Sequence, residues 1–199
     1  MTHHERRLPH WDLVEHALFV TFRLHGSLPA SRVFPAERLT SGRAFVAIDR
    51  ILDKTVSGPL YLRMPEIGGL VVACLRDGEQ RFQRYQLHSF VVMPNHVHLL
   101  VTPHVVATRW LGPLKGFTAH EANRMLGRGG QHFWQDESYD RLVRSDAEFD
   151  RIREYIESNP VKAGLIAAAE CWPWSSACTK SSATTAMSSR SSGVVSRYQ

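Results

Sequence analysis

The sequence has few cysteines and no long apolar run, and each absence excludes a class of protein. Its three cysteines, Cys74, Cys171 and Cys178, have no CxxC spacing. This argues against a zinc ribbon and against a disulfide framework, and it favours a reducing compartment. No stretch approaches the roughly 20 apolar residues that a membrane span needs, and no apolar segment follows the charged N-terminus. We therefore expect a cytoplasmic protein with no membrane partner.

Acidic residues are the minority among the charged ones. The 199 residues include 24 Lys and Arg against 19 Asp and Glu, which gives a formal net charge of +5. Such a balance is compatible with a polyanionic partner such as nucleic acid, because each Lys or Arg placed on a phosphate releases a counterion. Solubility alone would also explain it, so charge leaves both interpretations open.

Hydrophobic periodicity and breaker residues predict an alternation of strands and helices. The predicted elements are a strand at 16–24, helices at 42–54 and from Pro65 to near Gly78, strands at 84–93 and 96–102 joined through Pro94-Asn95, a helix at 108–126, a strand at 139–144, and a last helix that Ser145 caps and Pro160 ends. A central hairpin with helices on one face predicts an α+β fold, a ferredoxin-like sandwich with helices packed on a central antiparallel sheet.

One domain is expected over residues 1–178, since the length suits one hydrophobic core and hardly two. Residues 179–199 are mostly Ser, Thr, Ala and Arg. They are too small and polar to form a core, so we expect a disordered Ser/Thr-rich tail.

The first candidate for chemistry is the string Pro94-Asn95-His96-Val97-His98. Residues two apart on a strand project to one face, so His96 and His98 should point together. Two imidazoles on one face can bind a divalent ion and leave other coordination positions open. Two ordinary hydrogen-bonded histidines would show the same spacing.

The second candidate lies on the last helix. Tyr155 and Asn159 are four residues apart and therefore share a helical face. An amide oxygen can coordinate a metal, and a tyrosine beside that metal could act chemically. Spacing alone favours the structural interpretation, in which Tyr155 lies at the edge of the apolar stripe and Asn159 is a polar residue before Pro160.

Four strings in this order resemble the REP-associated tyrosine transposases: VVMPNHVHLLV, FWQDESYDRLVR, YIESNPVKAGL and WPWSS. That family belongs to the single-tyrosine HUH endonucleases, in which HUH denotes two histidines around a bulky hydrophobic residue. The resemblance runs from about Leu18 to Ser176 and implies the HUH nuclease fold. It also implies a bacterial protein associated with the nucleoid.

The resemblance implies a role for each candidate residue. His96 and His98 would be metal ligands with Asn159 as the third, the metal would be Mg²⁺ or Mn²⁺, and Tyr155 would be the nucleophile. The implied activity is a metal-dependent transposase that cleaves and rejoins single-stranded or hairpin DNA of palindromic repeats through a 5′-phosphotyrosine. It needs no nucleotide cofactor, and the protein would be a monomer or a homodimer.

Basic and aromatic side chains are the candidates for contacts with DNA. The backbone contacts and one stacking platform that we expect are Arg6, Arg7, Arg109, Lys115, Arg124, Arg128, Trp134, Arg141, Arg144 and Lys162. Trp110, Phe133 and Trp172 are further stacking candidates, although core packing is the favoured interpretation for Trp172 and Trp174. The string Gln131–Gln135 is expected near the substrate.

Two alternatives accompany this interpretation. A histidine-triad nucleotide hydrolase would need a third histidine where Leu100 stands, which counts against that class. A sequence-specific DNA-binding regulator could have kept the fold and lost cleavage. The presence of His96, His98 and Tyr155 favours the enzyme over the regulator.

Overall fold

The computed structural model describes residues 14–28, 52 and 58–178. Three predictions lie outside these residues: most of the helix at 42–54, the DNA contacts Arg6 and Arg7, and the tail at 179–199. The division into a domain and a tail therefore stays a prediction.

Four antiparallel strands form one sheet in the order β2-β3-β1-β4. The strands are β1 (Leu18–Arg23), β2 (Tyr85–Val92), β3 (His96–Pro103) and β4 (Tyr139–Leu142). The hairpin of β2 and β3 turns through Pro94-Asn95, as the sequence predicts. This chain order and strand order confirm the ferredoxin-like α+β fold.

Three α-helices accompany the sheet in the described residues: α1 (Pro65–Gln80), α2 (Ala107–Met125) and α3 (Asp146–Lys162). Ser145 caps α3 as predicted, its hydroxyl accepting a hydrogen bond from the Glu148 N–H. The predicted end at Pro160 is wrong, because α3 continues to Lys162. Pro160 lacks an N–H and its ring crowds the preceding turn, but it lies in the last turn of the helix, where its carbonyl still accepts from Leu165 N at 2.9 Å.

Helices cover both faces of the sheet, which corrects the prediction of helices on one face. Val97, Leu99 and Val101 of β3 pack in the larger core with α1 and α2. Leu100 points to the opposite face and packs in a second core with Ile156 of α3. Successive residues of a strand project to opposite faces, and in β1 and β3 both sets are buried. Both faces of the sheet are therefore apolar. The second face, which carries α3, is called the α3 face below.

The segment after α3 covers the outer edge of β2. The Trp174 carbonyl accepts from Val92 N at 2.8 Å, and Trp172 Nε1 donates to the Val92 carbonyl at 3.0 Å. Ser175 forms a bridge with Val91. Pairing of this kind blocks an edge that could otherwise recruit another strand. No helix within the described residues combines the length and apolar composition that crossing a membrane requires.

Candidate functional site

The register of β1 against β3 assembles the site. Thr21 lies directly opposite His98, and Arg23 lies directly opposite His96. Opposed residues of an antiparallel pair project to the same face. Both imidazoles, the Thr21 hydroxyl and the start of the Arg23 side chain therefore lie on the α3 face. This confirms that His96 and His98 point together, and both are fully buried.

Asn95 determines the orientation of the His96 ring. Its Nδ2 donates to the Leu52 carbonyl at 3.0 Å, so its Oδ1 is turned toward His96 Nδ1 at 2.7 Å. A carboxamide oxygen can only accept, which makes His96 Nδ1 the donor. In a neutral imidazole the lone pair is then on Nε2, the atom that faces His98.

His98 is held in the same manner from the neighbouring strand. The Thr21 Oγ1 lies 2.7 Å from His98 Nδ1, and the Nε2 atoms of His98 and His96 are 3.0 Å apart. A hydroxyl can accept as well as donate, so His98 Nδ1 can carry the proton and leave its Nε2 lone pair available. Both Nε2 atoms can then be ligands of one cation.

The spacing of these nitrogens fits a divalent metal ion. Two ligands at right angles, each about 2.1 Å from an octahedral ion, are about 3.0 Å apart. The Nε2–Nε2 distance of 3.0 Å has this value. No group of three or more His, Cys, Asp or Glu residues suited to a metal occurs in the described ranges. Asn159, the third ligand that the resemblance implies, is of none of these four residue types.

Helix α3 places Tyr155 beside the imidazole pair. The centroids of the Tyr155 and His98 rings are 5.8 Å apart. Phe19 of β1 contacts both, with ring centroids 5.6 Å from His98 and 6.3 Å from Tyr155. Ile156 is fully buried in the core of this face and fixes the rotation of the helix. Packing thus holds a half-buried phenol next to the imidazoles.

Asn159 lies one helical turn beyond Tyr155, and its side chain is buried with 1% exposure. Residues four apart on a helix face the same side, so Asn159 is directed with Tyr155 toward the sheet. Lys162 follows within the same turn, with Nζ 5.2 Å from the centroid of the Tyr155 ring. The metal-ligand role of Asn159 stays a prediction.

Several predicted DNA contacts already have partners within the protein. Lys115 Nζ donates to the carbonyls of Gln135 and Asp136 at 2.7 and 2.9 Å. Arg124 pairs with Glu121 at 2.9 Å, and Arg141 pairs with Glu148 at the start of α3. These contacts explain the three side chains without DNA. Exposed Arg109, Arg144 and Lys162 form no ion pair within the described residues.

Arg128, another predicted DNA contact, has partners within the protein but no ion pair in the described residues. It is half-buried, its Nε donates to Gln131 Oε1 at 2.9 Å, and its guanidinium carbon lies 4.7 Å from the centroid of the Tyr61 ring. A cation over an aromatic face is partly stabilised by that ring.

The stacking platforms expected from the sequence lie in the interior. Trp134 is only 5% exposed, packs on Phe22 and donates from Nε1 to Thr118 Oγ1. Phe133, Trp110 and Trp172 are buried as well, so core packing is the correct interpretation for all four. Large aromatic side chains stabilise a core because they bury the most apolar area. Trp134 is therefore corrected from a DNA-stacking residue to a core residue.

Sequence reasoning missed Phe19, Thr21, Arg23 and Asn95. Three of these are alternate residues of β1, and they reach the site only through the pairing of β1 with β3. The register of two strands so distant in the chain is not visible in a local pattern. Asn95 was visible beside the motif, but its role depends on the Leu52 carbonyl, which is far away in sequence.

Comparison with known proteins agrees with this geometry. Residues 75–159 match the family model described as "Transposase IS200 like". This range contains both imidazoles, Tyr155 and Asn159. A curated relative, the REP-associated tyrosine transposase of Escherichia coli (strain K12), is 27% identical over 100 residues. The match covers 48% of this chain and 56% of the relative, about half the length of each.

A solved structure shares the fold. It is described as the REP-associated tyrosine transposase bound to a REP hairpin, and it superposes with a TM-score of 0.55. The superposition covers 88% of this chain and 82% of that one at 16% sequence identity. Together these matches confirm the resemblance to REP-associated tyrosine transposases that the four sequence strings indicate.

Proposed function

We propose that this chain cleaves and rejoins DNA with Tyr155 as nucleophile. The premise is the match of residues 75–159 to the IS200-like transposase family model. The observation that carries the proposal is the position of the Tyr155 ring, 5.8 Å from the His98 ring and on the face of the imidazole pair. A phenol held beside two potential metal ligands is the arrangement that transfer of a phosphodiester to tyrosine requires.

The reaction exchanges one ester for another. The Tyr155 oxygen attacks phosphorus as its proton leaves to solvent, and the bond from phosphorus to the 3′-oxygen breaks. The 3′-oxygen takes up a proton and becomes a free 3′-OH, while the 5′-phosphate stays on the tyrosine. Attack by another 3′-OH reverses these steps and joins two strands. Because the ester bond is conserved, no nucleotide cofactor is needed.

The residues around Tyr155 have distinct tasks in this proposal. His96, His98 and Asn159 would hold Mg²⁺ or Mn²⁺, which when bound supplies positive charge to a nonbridging phosphate oxygen. Asn95 and Thr21 keep the two imidazoles in the orientation that binding requires. Phe19 packs against both His98 and Tyr155 and so helps to hold the phenol beside the pair.

The substrate we propose is single-stranded or hairpin DNA. Tyr155 is half-buried on a helix that packs against a sheet, so a phosphate in a stacked duplex could not reach it without distortion. The structural relative is described as bound to a REP hairpin, which supports a hairpin as the substrate. Palindromic repeats beside the gene would be the first sequences to test.

Adduct formation tests the proposal. Incubation with hairpin DNA and Mn²⁺ should give a covalent protein–DNA adduct on a denaturing gel, and Tyr155→Phe should abolish it because the nucleophilic oxygen is gone. Tyr139→Phe is the matched control, since Tyr139 also packs on Phe19, with ring centroids 6.4 Å apart. Burial raises the pKa of Tyr139 and disfavours its phenolate. Adduct that persists in Tyr155→Phe would refute the assignment, and DNA binding without any adduct would support the regulator instead.

A further inference from the structure

Arg23 is a basic residue, opposite His96 in the sheet, that the proposed reaction has not used. It is the last residue of β1 and lies directly opposite His96 on β3. Thr21, two residues earlier on the same strand, contacts His98. Alternation along β1 therefore directs the Arg23 side chain to the face that carries both imidazoles and Tyr155.

Among the described residues, little offsets the charge of the Arg23 guanidinium. It is half-buried, and its Nη1 donates to the neutral Ser27 hydroxyl at 3.2 Å. It forms no ion pair with a carboxylate of the described residues, although Glu137 acts on it at longer range. Burial lowers the pKa of Arg23, which reflects the cost of removing the guanidinium from water. Buried charges are normally paired, so an anion bound here would offset that cost.

We infer that Arg23 binds a phosphate of the DNA strand that lies against the imidazole pair. The inference rests on the proposed function, since it assigns a second contact to the same strand. A guanidinium presents five N–H donors in a planar fork that matches two oxygens of a phosphodiester. Among the described residues, this fork donates from Nη1 to the Ser27 hydroxyl. The phosphate contact places charge beside the reacting phosphate and orients the strand.

Metal-free binding tests this contact separately from cleavage. The probe is a short oligothymidylate in EDTA, and the measurement is the slope of log affinity against log salt. Arg23→Gln should lower the magnitude of that slope by about 0.7, the value for one phosphate of a single strand. Affinity should fall about 10-fold, as expected for loss of one hydrogen bond to a charged group. Arg23→Lys should keep the slope, because the positive charge remains.

Arg81→Gln is the matched control. Arg81 is exposed in the turn between α1 and β2, at the end of the sheet away from His96, and it should change neither slope nor affinity. Thermal unfolding of each variant identifies any loss of folding, and Arg23→Met, which keeps an unbranched stem without the charge, provides the slope should the Gln variant unfold. A slope that Arg23→Gln leaves unchanged, or that Arg23→Lys lowers as Gln does, would overturn the inference.

Adduct formation by the wild-type chain separates the two proposals. A Tyr155-linked adduct together with an unchanged slope in Arg23→Gln refutes the Arg23 contact alone. A lowered slope without any adduct in the wild type refutes the nuclease proposal and leaves the phosphate contact established.

Discussion

The imidazoles of His96 and His98 depend on neutral oxygens that lie outside the HxH motif. Asn95 Oδ1 and Thr21 Oγ1 each lie 2.7 Å from a histidine Nδ1, so both rings present Nε2 to the same place. Such partners fix the tautomer and the ring orientation of a metal ligand. Two neutral partners also add no negative charge next to the imidazoles.

Asn95→Ala should raise the Mn²⁺ concentration for half-maximal adduct formation by about 10- to 100-fold, since it removes the acceptor that orients His96. Binding of DNA in EDTA should not change. Asn123→Ala is the control. Asn123 lies on α2, is also buried, and donates to the backbone carbonyl of Gln131. Equal metal requirements in the two variants would contradict the orienting role of Asn95.

Sequence reasoning identified the side chains of the site that lie in local patterns and missed those that depend on pairing. The two-residue periodicity of a strand predicted that His96 and His98 share a face. The four-residue spacing of a helix predicted the same for Tyr155 and Asn159. Thr21 and Arg23 belong to a strand more than seventy residues earlier, and only the register with β3 places them at the site. Lys115 was visible as a cation, but its carbonyl partners were not.

The elements themselves follow from local rules more completely than the site does. The strands and helices that were predicted within the described residues all form, with ends shifted by a few residues. The face that each helix covers was not predictable, because both faces of the sheet are apolar and periodicity does not choose between them. Of the three helices whose bounds are described, α3 is the one that packs on the face of the imidazoles.

Gly78 of α1 shows how closely this helix packs on β2. A Cβ at Gly78 would lie 2.1 Å from Tyr85 Oη, and Tyr85 is fixed by a hydrogen bond from its hydroxyl to the Leu75 carbonyl. Gly78→Ala should therefore lower the free energy of unfolding by about 1–3 kcal/mol, the cost of overpacking. Gly69→Ala on the same helix meets nothing within 4 Å and should raise it by up to about 1 kcal/mol.

Urea unfolding followed by circular dichroism measures both variants. The two substitutions add the same methyl group to one helix, so helix propensity favours both equally. A difference in sign isolates the contact with Tyr85. Stabilisation by both changes would mean that α1 does not approach β2 as closely as described.

In the whole molecule, one core mainly stabilises the fold, and the other lies beside the residues proposed for catalysis. The larger core packs α1 and α2 on one face of the sheet, and the residues that β3 contributes to it are all apolar. The α3 face combines a smaller core with the imidazole pair, Tyr155 and Arg23. A rigid sheet between them lets one face carry polar groups while the other provides most of the apolar burial.

Contacts within the protein distinguish the basic residues that already have an ion-pair partner from exposed ones that form no ion pair in the described residues. Arg141 pairs with Glu148, whose other oxygen accepts from Arg144 N at 2.9 Å and so braces the start of α3. Exposed Arg109 has no such ion pair within the described residues. The net charge of the sequence does not distinguish Arg109 from Arg141, whereas their contacts in the structure do.

Arg109→Gln should lower the magnitude of the salt slope of single-stranded DNA binding by about 0.7, because one phosphate contact is lost. Its free energy of unfolding should stay within about 0.5 kcal/mol of the wild type. Arg141→Gln should leave the slope unchanged and lower the free energy of unfolding by about 0.5–1 kcal/mol through loss of its ion pair. Affinity titrations over a salt series, together with urea unfolding of both variants, decide between the two roles. The opposite pattern would show that the DNA strand crosses the molecule by way of β4 and not α2.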